Sequence, residues 1–487
     1  AGELYAVIPV PTEGAEEIDD VSFANDLTNW SKYGVTSATG GIATIGASAN
    51  SGIYQTILTQ GVRYTVTINV VSVNATGTSE VTNGNGTVLY LITETGIQTF
   101  TFISAIASGQ IIIRGMSNAL FSLSNVSVKE YTSADMDVTR ATAATRVDEN
   151  GLVEDVLSNV PRIDYTGGGC PHILAEPMRT NLIPYSEDFT SWVQIQDTTL
   201  TANSTTSPSG ENDGTKFLST GTGAKVRENF SAVSGTTYTV SVYCKNIDST
   251  LIKILTYDGV NSLSYDATSE VNTSTWTRIS LTFTTANTGS GQIQIARDLP
   301  NGESAYFWGA QLEVGSYPTS YIPNFGTALG VTRNQDIFTR DGIGSLINST
   351  EGVLFVEIAA FENDASYRYM GLTDGSAENR VIILYYSNND RIRVMLSSGN
   401  TKYFDEYYTV TSLVDFHKVA VKWKANDFAL WIDGFERATE TAYSFVPIGL
   451  NTLALDQAGA NNWFGKVKQL QVYKTALTDD TLALLTS

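Results

Sequence analysis

Apolar and polar residues alternate along most of this chain. Tyr64-Thr65-Val66-Thr67-Ile68-Asn69-Val70 and Phe100-Thr101-Phe102 have period two, and Phe121-Ser122-Leu123-Ser124-Asn125-Val126-Ser127-Val128 keeps it with few breaks. Successive side chains of an extended strand point to opposite faces, so each run buries one face of a sheet. Several such strands separated by Gly, Asn and Ser turns predict a β-sandwich over residues 21–131.

The same plan returns further along. Phe23-Ala24-Asn25-Asp26-Leu27-Thr28-Asn29-Trp30 is echoed by Tyr185-Ser186-Glu187-Asp188-Phe189-Thr190-Ser191-Trp192, and Gly61-Val62-Arg63-Tyr64-Thr65-Val66-Thr67-Ile68 by Gly235-Thr236-Thr237-Tyr238-Thr239-Val240-Ser241-Val242. Gln110-Ile111-Ile112-Ile113-Arg114 is echoed by Gln292-Ile293-Gln294-Ile295-Ala296-Arg297. Matches in the same order predict an internal duplication, with jelly-roll sandwiches of one type at 21–131 and 185–330. A third strand-rich region spans 331–487. It holds Gly352-Val353-Leu354-Phe355-Val356-Glu357-Ile358 and a run at 428–434 that ends in the Asp433-Gly434 turn signal. The best helix candidate lies at 477–485, where Thr478 precedes Asp479 and Asp480 as cap and first-turn acids.

Two segments fall outside these sandwiches. Residues 1–20, with Pro9 and Pro11 and an acidic stretch, read as an extended N-terminal arm. It either lies across its own domain or docks on a partner. Residues 132–184 are too hydrophobic for a flexible linker and are expected to form short hairpins packed between domains. The fold class is therefore all-β: three stacked β-sandwiches, the first two a duplication.

Composition narrows the chemistry. Hydrophobic residues make up 42% and charged residues only 16%, which excludes a disordered chain. A formal net charge of −21 disfavours nucleic acid and anionic membrane surfaces. No apolar run is long enough to span a bilayer, and no basic-then-apolar leader opens the sequence. Cys170 and Cys244 are expected to be free thiols from a reducing compartment. The two histidines, His172 and His417, nearly exclude a His-based zinc site.

The segment Glu176-Pro177-Met178-Arg179-Thr180-Asn181-Leu182-Ile183-Pro184-Tyr185 resembles a signature of tailed-bacteriophage structural proteins, in which an Arg-Thr-Asn-Leu run joins a connector to a carbohydrate-binding-module-like jelly roll. Pro161-Arg162-Ile163-Asp164-Tyr165, Ser320-Tyr321-Ile322-Pro323 and Val331-Thr332-Arg333 look like the same family, so the likeness covers about residues 135–335. Residues 350–487 resemble a concanavalin-like laminin-G domain through Phe416-His417-Lys418-Val419-Ala420-Val421, Leu430-Trp431-Ile432-Asp433-Gly434 and Phe464-Gly465-Lys466-Val467. The resemblance implies a tail-fibre, receptor-binding or head-decorating protein. Such a protein is made in the host cytoplasm and displayed on the virion surface. Its partners would be other virion proteins, met through the N-terminal arm, and a host-surface glycan. A homotrimer is compatible with it, although no heptads or triple-helix repeats force one.

Catalytic patterns are missing from the sequence. A glycan hydrolase needs two carboxylates facing one sugar bond. Glu357 stands alone in its strand, and Asp405 and Glu406 are adjacent, hence on opposite faces. No nucleophile elbow, phosphate loop or zinc-helix motif is present, and no enzyme is expected. Sugar binding needs aromatic faces with polar neighbours. The candidates are Tyr367, Tyr369, Tyr403, Tyr407, Asn461, Asn462 and Trp463, with the 459–463 loop preferred; Tyr385, Tyr386 and Tyr408 are further tyrosines of the same region. Trp423 and Trp431 read as core. Structural calcium is the one cofactor in play, with Asp26 and Asp188 at equivalent repeat positions as its candidate ligands. Turn capping is the competing role for both. The rival overall readings are a secreted glycan-active enzyme or its accessory modules, and a structural protein whose lectin-like domain binds protein.

Overall fold

The computed structural model describes every residue except 1–3, 7–11, 47–49, 75, 106, 133–135, 169, 365, 387–389 and 445. The chain forms two units, Pro9–Ala134 and Asp135–Ser487, the latter together with Ala1–Ile8.

The first unit is a sandwich. One sheet runs Gly96–Ile103, Arg63–Val73, Phe121–Thr132, Ile42–Ile45, Thr36–Thr39; the other runs Ser31–Tyr33, Asn50–Thr56, Gln110–Met116, Thr78–Asn83, Val88–Leu91. The alternating positions Val66, Ile68, Val70, Ile111, Ile113, Phe121 and Leu123 meet in its core.

A second sandwich lies within the other unit. Its sheets run Thr277–Thr284, Thr237–Asn246, Ser304–Val314, Gly214–Ser219, Thr198–Thr205, and Gln194–Gln196, Lys225–Ala232, Gly289–Ile295, Lys253–Tyr257, Ser262–Asp266. When the ten strands of each sandwich are counted from the first, both read 8-5-10-3-2 and 1-4-9-6-7. The shared order bears out the duplication. The echoed aromatic motif packs alike in the two copies, with the Phe23 and Trp30 rings 5.6 Å apart and those of Phe189 and Trp192 5.3 Å apart.

The third sandwich is wider than residues 331–487. Its seven-stranded sheet runs Asp137–Thr139, Ile337–Arg340, Thr452–Ala454, Tyr367–Thr373, Arg380–Tyr386, Arg391–Ser398, Thr401–Thr409. The facing sheet runs Ile163–Asp164, His172–Ala175, Gly465–Tyr473, Glu351–Ala360, His417–Lys424, Phe428–Ile432, Phe435–Glu440. Three strands of the expected connector thus extend the sheets of this sandwich, Asp137–Thr139 and Ile163–Asp164 at their edges and His172–Ala175 between Ile163–Asp164 and Gly465–Tyr473. They cover backbone that would otherwise be bare. Ala144–Val147 with Val153–Val156 stands as a separate connector hairpin, and Arg179–Asn181 pairs with Val331–Arg333. The helix forms at Asp479–Thr486 with Thr478 as its cap, and Leu482 packs on Val353, Phe355, Ala420 and Trp431. It covers the outer face of that second sheet. Among the described residues no helix is long and apolar enough to cross a membrane.

Where the arm expected at 1–20 is described, it takes the first of its two readings and lies across the chain's own sandwiches. Leu4–Ala6 pairs antiparallel with Gly465–Tyr473, Thr12–Glu16 pairs with Phe121–Thr132, and Ile18 is buried in the first sandwich. These backbone edges are already paired within the chain, so they do not form a free docking strand. Residues 7–11, with both prolines, lie outside the described residues.

A buried ionic cluster joins the connector to both sandwiches of its unit. Arg140, Arg162 and Arg333 are at most 1% exposed, and Glu176 and Asp336 are at 2%. Arg162 donates to Glu176 at 2.7 Å and also to Asp336; Arg140 donates to Asp336 at 2.8 Å and Arg333 to Glu176 at 2.5 Å. Ser320 donates its amide and hydroxyl to Glu176, each at 2.7 Å, and the Glu176 amide donates to Asp336 at 2.9 Å. Further guanidinium bonds end on backbone carbonyls of Thr142, Leu157, Val160 and Pro177. Asn181 is fully buried nearby, donating to Ser186 and to the Ile322 carbonyl and accepting from the Ile183 and Leu312 amides.

Burial pushes the Glu176 carboxyl up, but Arg333, Arg162 and the Ser320 bonds outweigh it and hold it at about 2. A depressed carboxylate stabilises the fold above its unfolded value of about 4.3 and loses that contribution as pH falls through the folded value. The Asp135–Ser487 unit is therefore expected to hold constant stability from this group at neutral pH and to lose it between about pH 4.5 and 2. Glu176→Gln is expected to cost about 3–5 kcal/mol at pH 7, because it leaves guanidiniums buried without their counter-charge. It should also flatten that acid limb. Chemical denaturation followed across pH checks both.

Candidate functional site

Alternation in the seven-stranded sheet of the third sandwich sorts its residues into two faces. Arg368, Met370, Leu372, Val381, Ile383, Tyr385, Val394 and Leu396 point inward and are buried. The other set points outward. Register brings Tyr367 opposite Tyr386, Tyr369 opposite Leu384, Leu384 opposite Arg393, Arg393 opposite Tyr407, and Met395 opposite Asp405. Ile382, Leu384 and Met395 form a buried floor under Tyr369 and Tyr386. The rings of Tyr367 and Tyr386 meet edge to face at 5.0 Å, and Tyr369 lies 6.4 Å from Tyr367.

Charged groups border this aromatic platform. Arg393 grips Asp405 with two bonds of 2.6 and 2.7 Å, and the Lys402 ammonium stands 3.2 Å from Asp405. Burial raises the Asp405 carboxyl, yet the bonds from Arg393 and Lys402 bring it below the usual carboxylate range. It is an acceptor and not a proton donor. Arg380 is 8% exposed, with Nε and Nη1 unpartnered among the described residues. Burial lowers its pKa while Tyr369 and Asp405 raise it, which puts it electrically next to this face. Arg391 stacks on Tyr407 at 4.2 Å, leaving Tyr407 53% exposed. The platform offers flat apolar rings, hydroxyl groups and guanidinium donors, the set a sugar ring uses.

The candidates from the sequence divide. Tyr367, Tyr369 and Tyr407 share this face. Asn461 and Asn462 border it: the Tyr369 amide donates to the Asn461 carbonyl at 3.1 Å, and Tyr369 bridges to Asn462. Tyr403 packs against Tyr443 at 5.7 Å instead. Trp463 is corrected outright. It is 0% exposed and packs edge to face on buried Tyr385 at 4.7 Å, so its ring cannot meet a ligand. Tyr408 belongs to the inner side, stacked on by Arg437 at 4.0 Å. Arg380, Arg393 and Asp405 were not among the candidates. Their signal was present, since outward positions of neighbouring strands carry them, but the strand register that gathers them is not written in any one run.

The pair Asp26 and Asp188 does not share a role. Asp188 caps the turn Phe189–Ser191, accepting from the Thr190 amide at 3.0 Å and from the Thr190 and Ser191 hydroxyls. Asp26 is exposed in a left-handed turn at φ 53°. No group of three or more His, Cys, Asp or Glu side chains gathers among the described residues. Cys170 and Cys244 are free, the first exposed and the second buried with its thiol pushed well up by burial.

Residues 355–483 match the family model of the concanavalin A-like lectin/glucanases superfamily. The match lies within the sandwich that carries the platform. Solved structures give partial likenesses. Domain 4 of an extracellular arabinanase from Geobacillus stearothermophilus, in complex with arabinotriose, is 17% identical with a TM-score of 0.26, over 31% of this chain and 73% of that one. A heptameric SAP-like pentraxin from Limulus polyphemus is 17% identical with a TM-score of 0.23, over 28% and 70%. The N-terminal CBM22 tandem domain from Paenibacillus barcinonensis is 11% identical with a TM-score of 0.21, over 64% and 100%. No curated protein sequence matches the chain.

Trp463→Ala is expected to destabilise the C-terminal sandwich by about 3–5 kcal/mol, as a large core ring lost to a cavity does. Tyr367→Ala should leave the unfolding transition in place. Denaturant unfolding of the two variants checks the division between core and platform.

Proposed function

We propose that this chain is a non-enzymatic glycan-binding protein of a tailed-phage virion surface, of the tail-fibre, receptor-binding or head-decorating kind. The observation that carries the glycan part is the outward platform of Tyr367, Tyr369 and Tyr386 over a buried apolar floor, flanked by Arg393–Asp405 and the unspent donors of Arg380. Aromatic faces take the apolar side of a pyranose ring while planar donors orient its hydroxyls. The lectin-type family match to the same sandwich supports this reading.

The non-enzymatic part rests on Asp405, the acid held on that face. Its bidentate bond to Arg393 keeps it ionised, whereas a general acid must hold a proton near its working pH. The virion part rests on the connector signature described above. Several of its polar residues have structural tasks here: Glu176 and Arg162 in the ionic cluster, Asn181 in its own buried bonds, Thr180 paired with Thr332 at 2.8 Å, and Arg179 3.7 Å from Glu313.

Glycan-array binding by the full chain is expected, and the double variant Tyr367→Ala/Tyr386→Ala should lose it while unfolding normally. Binding unchanged in that variant would remove the platform from the reading. Release of reducing ends in proportion to protein added, from any polysaccharide bound, would overturn the non-enzymatic part. Antibody to the chain should label intact particles of the source phage; label confined to spent medium would overturn the virion part.

A further inference from the structure

A second concavity lies away from the platform, within the Asp135–Ser487 unit. It encloses about 760 Å³, the size of a pocket that holds a small ligand. Its walls come from the connector, from the outer side of the second sandwich and from the start of strand Gly465–Tyr473. Trp276, Tyr243, Tyr165 and Phe361 supply aromatic surface. Trp276 is half-buried, whereas the other six tryptophans are all buried at 7% exposure or less.

The charges around it are unevenly spent. Asp164 accepts from the Val147 and Thr166 amides, Asp148 accepts from its own turn, and Glu176 belongs to the ionic cluster. Arg146 is paired with Glu154. Buried His172, also in the wall, is held neutral at pH 7: burial is the main cause, and its pKa falls to about 4. Two cations of the lining remain without a carboxylate among the described residues. Lys466 has no ion pair, and Arg278 donates only to neutral acceptors, the Thr319 carbonyl at 2.6 Å and the Ser241 hydroxyl at 2.9 Å, while lying 5.4 Å from the Tyr243 ring centre. The Lys245 ammonium stands 5.3 Å from the Trp276 ring, and it too has no carboxylate. The unspent acid of the wall is Glu149, which is exposed. In a chain with 50 acids and 29 bases, Lys466 and Arg278 line one cavity together with aromatic side chains.

From this we infer that the cavity is a binding site for an acidic saccharide unit, a hexuronic acid whose ring lies against the aromatic wall and whose carboxylate meets Lys466 and Arg278. The inference rests on the glycan-binding reading and gives it a second site with its own charge preference. A carboxylate there gains charge-assisted hydrogen bonds from groups that no protein acid satisfies.

The test uses the full chain and two probes, an oligosaccharide of glucuronic acid and the matched oligosaccharide of glucose. The acidic probe is expected to bind with an affinity that falls as salt rises, and to protect tryptophan fluorescence from acrylamide. Trp276 is the half-buried tryptophan, so Trp276→Phe should abolish the protection signal. Lys466→Met should weaken binding about tenfold or more, as loss of one charge-assisted bond does, and Lys466→Arg should restore it. That rescue separates lost charge from lost fold. Equal binding of the neutral probe overturns the acidic assignment. Acidic binding that survives Trp276→Ala/Lys466→Met, or that is lost instead in Tyr367→Ala/Tyr386→Ala, overturns the cavity and leaves glycan binding standing. A wild-type chain that binds no glycan overturns both.

Discussion

Five charged side chains taken out of water set the conditions for most of the Asp135–Ser487 unit. Removing a guanidinium or carboxylate from water costs several kcal/mol, and only close, fully bonded geometry offsets it. Glu176 is reached by Arg162, Arg333 and Ser320, and Asp336 by Arg140, Arg162 and the Glu176 amide. These partners come from positions up to 196 residues apart. These bonds form together only when connector, second sandwich and third sandwich lie in one arrangement. A hydrophobic contact tolerates sliding; a buried ion pair does not.

That arrangement has consequences at both proposed sites. The connector strands Ile163–Asp164 and His172–Ala175 extend one sheet of the third sandwich, and Asp137–Thr139 extends the other. The residues between them turn back toward the second sandwich and close the cavity that Trp276, Tyr243 and Lys466 line. Lys466 stands in register with Leu174 of the connector, while Arg278 is held by the Thr319 carbonyl and the Ser241 hydroxyl. The platform depends on the cluster less directly. Its rigidity comes from the sheet, with Met370, Ile383 and Val394 packed beneath it on the inner side.

The two outer faces of the third sandwich are treated differently. On one sheet the helix Asp479–Thr486 lies over Phe355, Ala420 and Trp431, and Lys422 bonds to Asp479 at 2.9 Å. On the other, Tyr369 and Tyr386 pack over Ile382 and Leu384 and stay partly exposed. Tyrosine suits such a face, because it buries apolar area while keeping a polar tip.

Much of the fold was legible because it is local. Period-two alternation at 64–70 and 121–128, the repeated motifs at 23–30 and 185–192, and Thr478 before two acids each specify an element from a few neighbouring residues. The duplication was legible for the same reason. The arm, the domain boundaries and Trp463 were not. Whether Leu4–Ala6 is free or paired depends on an open strand edge more than 450 residues away. Trp463 sits beside two asparagines in a loop that reads as exposed, yet the loop crosses the sandwich so that its ring meets Tyr385 in the core. The Arg-Thr-Asn-Leu run could be recognised as a signature but not explained, since its neighbours' charges find partners only across the whole unit. Sequence patterning determined which residues form strands and which face of each is apolar, since backbone geometry imposes that alternation. Tertiary structure alone decided which outward faces adjoin, which cations stay unmatched and which aromatic rings reach water, because those follow from register and packing between distant segments.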